Sequence, residues 1–184
     1  PLMALDASVT LLSTRGERVI PLKEFYTGVR KNVMQPDEML VDISFQAMTA
    51  TQRGMFIKLA LRRAQAISLV NVAVILDLKA DTVKSASITL GAVTPVMIHA
   101  VEAEKFLANQ KLTDENIAHA AVLTMQAGRP IDDVRGSASY RKEMTRVITS
   151  RALTALRDET EQSGMPKKPI LLVGKDAAVS EQKS

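Results

Sequence analysis

No cysteine and no tryptophan occur in the 184 residues, and the histidines are two, His99 and His119. The missing cysteines exclude disulfides, thiolate metal sites, protein-held iron–sulfur clusters and cysteine nucleophiles from this sequence. Two histidines so far apart give a His-based zinc site or a catalytic triad too few ligands, and both read as surface or packing residues. Aromatic residues make up 3%, and the four Phe and two Tyr do not accompany the doublets Arg62-Arg63 and Lys167-Lys168. With 24 basic against 20 acidic residues scattered along the chain, the net charge of +4 builds no nucleic-acid stripe. Long apolar runs are also missing. Leu69 to Leu78 is broken by Asn71 and Asp77 and is too short to cross a bilayer. The first residues lack the basic start of a signal peptide, so a soluble, cytoplasmic protein is expected. Pro1 opens directly on patterned sequence, as expected of one piece of a larger chain. What is abundant is core material: 46% of residues are apolar, enough for about one to two domains.

From Ala4 to Leu12 small or polar residues alternate with more apolar ones, the period of a half-buried strand. Thr14-Arg15-Gly16-Glu17 supplies a turn and Arg18-Val19-Ile20 a return strand that Pro21 ends, because it has no N–H for the ladder. Residues 22–36 read as irregular, anchored by Phe25 and Tyr26, before Pro36-Asp37-Glu38 turns into a strand from Met39 to Phe45. The small, polar stretch 47–54 marks a domain boundary. Beyond it Met55 to Leu61, Leu69 to Leu78 and Val83 to Val93 read as strands. The period then changes to helical over Ala100 to Ala108, Asp114 to Ala127 and Ala138 to Gln162, with Thr113 and Ser137 as N-caps and Gly164 as the stop. Strands followed by helices describe an α+β domain, three helices on one face of a three- to four-stranded antiparallel sheet. On the last helix Tyr140, Met144, Val147, Ile148 and Leu156 form the apolar stripe, while Arg141, Arg146, Arg151 and Arg157 lie off it. Asp132 and Asp133 are expected to cap that helix and pair with arginine rather than to do acid–base chemistry. After Gly164 a polar tail, 165–184, with the apolar run Ile170 to Val173, is expected to be disordered or laid against a partner.

Two segments carry a resemblance. Pro130-Ile131-Asp132-Asp133-Val134-Arg135-Gly136-Ser137-Ala138-Ser139-Tyr140-Arg141 resembles a signature of the flavin-binding subunit of molybdenum hydroxylases, the xanthine dehydrogenase and carbon monoxide dehydrogenase family. Lys58 through Ala73, with Ile67-Ser68-Leu69-Val70-Asn71-Val72-Ala73, is similar to the opening of that family's C-terminal domain. Leu5-Asp6-Ala7, Pro21-Leu22 with Phe25, Asp37-Glu38-Met39-Leu40, and Leu90-Gly91-Ala92-Val93 with Pro95, Ala100 and Glu104 add to it. The likeness covers residues 1–158. It implies that 1–50 close an FAD-binding α/β domain, that 51–164 form the flavoprotein C-terminal domain, and that 165–184 are a tail.

The resemblance further implies an oxidoreductase component. A molybdopterin centre hydroxylates an aldehyde, purine or N-heteroaromatic substrate, electrons cross two-iron two-sulfur clusters, and FAD in this subunit passes them to NAD or another acceptor. The molybdopterin would sit in a large partner subunit and the clusters in a small one, consistent with the absence of cysteine here. The family's glycine-rich FAD pyrophosphate segments correspond to sequence upstream of Pro1, and residues 1–50 contain only Gly16 and Gly28. An N-terminal half of the FAD domain is therefore an expected partner of this stretch. Two flavin contacts carry over: Leu40, where backbone and side chain meet the flavin, and Lys58, a lysine beside the isoalloxazine. Residues 62–67 correspond to a loop near the flavin, here Arg62-Arg63-Ala64-Gln65-Ala66-Ile67, without an aromatic shield. No catalytic residue and no metal ligand is expected in this chain. The alternative is a non-catalytic assembly module that docks partner subunits.

Overall fold

The computed structural model describes residues 1–62 and 65–163. The expected hairpin forms from β1 (Ser8–Ser13) and β2 (Gly16–Pro21), closed where Gly16 takes φ 122°, a conformation L side chains rarely adopt. Strand β5 (Met39–Ser44) pairs with the other side of β1, giving the order β2-β1-β5. Between them, where irregular chain was expected, lie a short helix α1 (Leu22–Phe25) and a ribbon of β3 (Tyr26–Gly28) with β4 (Lys31–Asn32). Phe25 is buried as expected, but Tyr26 is 43% exposed and meets Phe25 edge-on, so only one of the two aromatic anchors is in the core.

The second sheet is antiparallel throughout, in the order β6 (Gln52–Ala60), β7 (Ser68–Lys79), β8 (Thr82–Gly91), β9 (Ile98–His99). Three helices pack on one side: α2 (Val101–Leu107) and α4 (Ala138–Arg157) lie on the sheet, and α3 (Asp114–Ala127) packs against both of them. This is the expected α+β arrangement. β7 is its spine, because Val70, Val72, Val74 and Leu76 all point to the helices and are wholly buried. Each such side chain contributes about 1.5–3 kcal/mol by leaving water. The expected caps are in place: Thr113 Oγ1 accepts from the Asn116 N–H at 3.2 Å, and Ser137 Oγ accepts from that of Tyr140 at 3.2 Å.

Two expectations about α4 are corrected. The helix stops at Arg157 rather than Gln162: the Asp158 N–H closes the last turn on Thr154, and Glu159 turns left-handed at φ 57°. Glu161 is then free to take the Arg53 guanidinium at 2.7 and 2.5 Å, tying the chain to β6. The buried face also differs, since Arg141 is 3% exposed while Tyr140 is 46% exposed. Arg141 goes inside because the Asp133 carboxylate and the Ala92 carbonyl wait for it there. The stop expected at Gly164 and the tail 165–184 lie outside the described residues, as do Arg63 and Ala64.

The sheet face away from the helices is partly covered by the first residues of the chain. Met3 and Ala4 are buried, and Pro1, Leu5, Phe56, Ala73 and Ile75 line a shallow cavity of about 190 Å³ there. Among the described residues no helix is long and apolar enough to cross a membrane.

Candidate functional site

Strand β6 alternates. Met55, Ile57 and Leu59 pack on the helical core, which puts Phe56 and Lys58 on the opposite face. Lys58 is exposed there, and its register neighbours form a row across three strands: Lys58 opposite Asn71, and Asn71 opposite Gly91. Gly91 makes room for the Asn71 side chain in that row. A Cβ on it would lie 2.6 Å from Asn71 Oδ1, so a larger residue there would push the carboxamide out of its present place over the strand. The next row, Phe56, Ala73, Thr89 and His99, runs alongside. A cation, an amide and an exposed aromatic ring thus share one face, a set suited to a flat, electron-accepting ring system that gains negative charge on reduction.

At the strand's end the chain turns back through the loop that follows Ala60. The Arg62 guanidinium donates from Nε and Nη2 to the Gln65 carbonyl at 3.1 and 2.7 Å, and Gln65 sits at φ 48°. Two of the five Arg62 N–H donors are thus engaged by Gln65.

Leu40, the other expected contact, lies on the first sheet. It is half-buried on the small core formed by Val9, Leu11, Leu22 and Phe25, opposite Leu11 and next to the register shift where β5 carries Val41 as an extra residue. The turn that leads to it is clamped by Arg18, whose Nε and Nη2 donate to the two Glu38 oxygens at 2.6 and 2.7 Å. The Gln35 N–H donates to the same carboxylate at 2.7 Å. The hydrogen bonds from Arg18, joined by that of Gln35, lower the Glu38 pKa to about 2. Leu40 and Lys58 stand on separate sheets joined by the segment 45–51.

The Asp132–Asp133 pair is scaffold, as expected. Asp132 Oδ1 accepts the Ala138 N–H at 2.6 Å and so caps α4, while Asp133 takes the Arg135 guanidinium and pairs with Arg141. Hydrogen bonds from Arg135 and Arg141 hold the Asp133 carboxyl far below the ordinary range. Both histidines are packing residues: His119 stacks on Phe106, and His99 Nδ1 lies 2.8 Å from Glu104 Oε1. That bond raises the His99 pKa against the opposing effect of burial.

Sequence reasoning missed Asn71 as a site residue, although its segment was noted. The signal is register, since Lys58, Asn71 and Gly91 become neighbours only once three strands are paired. The residues fit one end of an FAD molecule. Lys58 and Asn71 suit the ring, whereas the only left-handed glycine among the described residues, Gly16, sits at a hairpin tip and builds no phosphate cradle.

A family model for the CO dehydrogenase flavoprotein C-terminal domain matches residues 55–156, and one for the FAD binding domain in molybdopterin dehydrogenase matches residues 1–45. The alpha subunit of the 6-hydroxypseudooxynicotine dehydrogenase complex of Paenarthrobacter nicotinovorans is 32% identical over 153 residues, covering 83% of this chain and 51% of that protein. The nicotinate dehydrogenase FAD-subunit of Eubacterium barkeri is 30% identical over 168 residues, covering 85% and 54%. A solved carbon monoxide dehydrogenase from Hydrogenophaga pseudoflava superposes with a TM-score of 0.79 at 28% identity, covering 83% of this chain and 53% of that one. The chain spans about half the length of the curated relatives it matches. These matches bear out the resemblance read from the sequence and the α+β architecture expected from it.

Proposed function

The chain belongs to the CO dehydrogenase flavoprotein family of molybdenum hydroxylase subunits, and on that premise we propose that it forms the C-terminal part of an FAD subunit. In this reading residues 1–50 close the FAD-binding domain and 51–164 are the flavoprotein C-terminal domain. The assembled enzyme hydroxylates an aldehyde, purine or N-heteroaromatic substrate at a molybdopterin centre in a large partner subunit. Electrons then pass through the iron–sulfur clusters of a small partner and the FAD held here to NAD or another acceptor.

When bound, FAD supplies the exchange between single electrons and electron pairs. The chain's own residues do the rest. The Lys58 ammonium opposes the negative charge that reduction places on the ring, an effect that strengthens as water is excluded. Asn71, whose carboxamide packs over Gly91, offers an NH2 donor group and a carbonyl acceptor to orient ring edges. Leu40 gives an apolar wall that the Arg18–Glu38 clamp keeps in place.

The observation that carries this reading is the Lys58, Asn71, Gly91 row on an open sheet face, in a chain that matches both family models. The test is purification under native conditions with every chain that accompanies the protein, followed by an absorption spectrum. Flavin maxima near roughly 370 and 450 nm, the cofactor's own absorption, are expected in the assembly. A colourless assembly with the same partner chains would refute the reading.

A further inference from the structure

Behind the signature segment the structure holds a groove of about 640 Å³ that no step above uses. Its charged lining is three guanidiniums, Arg129, Arg135 and Arg141, against one carboxylate, Asp133. That carboxylate is already consumed: Arg135 and Arg141 pair with it, and the Arg135 N–H donates to it at 2.8 Å. Arg141 is buried, yet its Nε has no hydrogen-bond partner among the described residues. The groove therefore presents unspent positive charge.

Its walls and rim are apolar and in water. Val29 is 66% exposed, Ile67 65% and Ile131 71%, and Val134 beside them is fully exposed. These side chains come from three separate parts of the chain, so the patch is a feature of the fold rather than of one loop. Val134 is also presented rigidly. Asp133 and Gly136 exchange backbone hydrogen bonds at 3.2 and 3.1 Å, so Val134 and Arg135 ride the tip of a closed turn anchored by Asp132 to α4. A β-branched residue held out in water on a preordered turn loses little entropy on being covered, which is how a binding anchor is built.

We propose that this groove docks a different subunit of the assembly, through a segment that carries a carboxylate framed by apolar side chains. The carboxylate enters between Arg129 and the Arg135–Arg141 pair, and the apolar groups cover Val134, Ile131 and Ile67. Charge favours this occupant over a second copy of the chain, whose own groove would bring arginines against arginines. The inference rests on the multi-subunit reading given above.

The test uses the assembled complex, purified with its partner chains, with a photo-crosslinking benzoylphenylalanine in place of Val134. The expected adduct joins Val134 to a stoichiometric partner chain at a peptide containing Asp or Glu. In parallel, Val134→Asp with Arg129→Glu should weaken retention of that partner about tenfold or more, at unchanged helical content. Both side chains are exposed, so the double variant is expected to fold. An adduct to a second copy of this chain, to another part of its own chain or to a peptide without acidic residues overturns the proposal, as does a double variant that keeps its partner at wild-type affinity. The flavin spectrum of the unmodified complex is read separately. Its absence would sink the electron-relay reading, while the crosslink map alone decides the docking face.

Discussion

The two parts of the molecule are built to different standards. In residues 55–156 the helices bury one whole face of a four-stranded sheet, and Leu76, Ile88, Leu107, Leu153 and Leu156 are all but inaccessible. In residues 1–45 the core is a small cluster around Val9, Leu11, Leu22 and Phe25. The remainder of that region is held by surface ion pairs, Arg18 with Glu38 and Arg15 with Asp37. Its edge strand β5 leaves Met39 68% exposed, Val41 46% and Ile43 41%. An open edge lined with apolar side chains is a surface that folded proteins cover. The larger domain thus has an extensive core of its own, whereas the smaller sheet has little, and the candidate flavin contacts are divided between the two.

The sharpest way to break that comparison is through the cores. Leu153→Ala, at a fully buried position of α4, should cost about 2–5 kcal/mol and lower the urea midpoint of the whole larger domain. Leu11→Ala should instead release residues 1–45 while hydrogen exchange in β7 stays protected. Equal loss of protection in both regions from either variant would make them one cooperative unit and erase the distinction.

Arg141→Ala comes next. It removes the buried cation that ties α4 to the Ala92 carbonyl and to Asp133, and an expected loss of about 3 kcal/mol follows from leaving those groups without it. Denaturant unfolding measures it, and a loss below about 1 kcal/mol, the range of exposed pairs, would place Arg141 among surface arginines.

The smallest effect is acid sensitivity of the smaller sheet. The Glu38 pKa is depressed from 4.5 to about 2 in the fold, so the stability it contributes is present above pH 4.5 and is lost as pH falls toward 2. Hydrogen exchange across that window should show β2 and the 33–38 turn opening before β7. Glu38→Gln should remove the pH dependence of the protection factors, and protection that is flat with pH in the wild type would refute the clamp.

Much of this was legible in the sequence. The bounds of α3 follow from the Thr113 cap and the helical spacing of Ile117, Ala120, Ala121 and Thr124. The strands of the larger sheet follow from β-branched runs. The errors share one physical origin, which is that distant partners decide. Arg141 reads as a surface residue until Ala92, far back in the chain, places a strained left-handed carbonyl beside it. The end of α4 reads too long because Glu159, Glu161 and Gln162 are good helix formers, whereas in the fold Glu159 turns left-handed and the distant Arg53 pairs with both Glu159 and Glu161. At the site, Lys58 and Leu40 came from resemblance, while Asn71 emerged from strand register. Composition and spacing carry no information about which strand faces which.

The central claim is that the Lys58 ammonium stands beside a flavin and stabilises its reduced form. The direct measurement is a redox titration of the assembled enzyme with Lys58→Ala and Lys58→Arg. The account predicts that loss of the cation lowers the flavin midpoint potential by about 30 mV or more, the change that accompanies a tenfold shift for a two-electron couple, and that arginine largely restores it. Unchanged flavin content and an unchanged potential in Lys58→Ala would contradict the account.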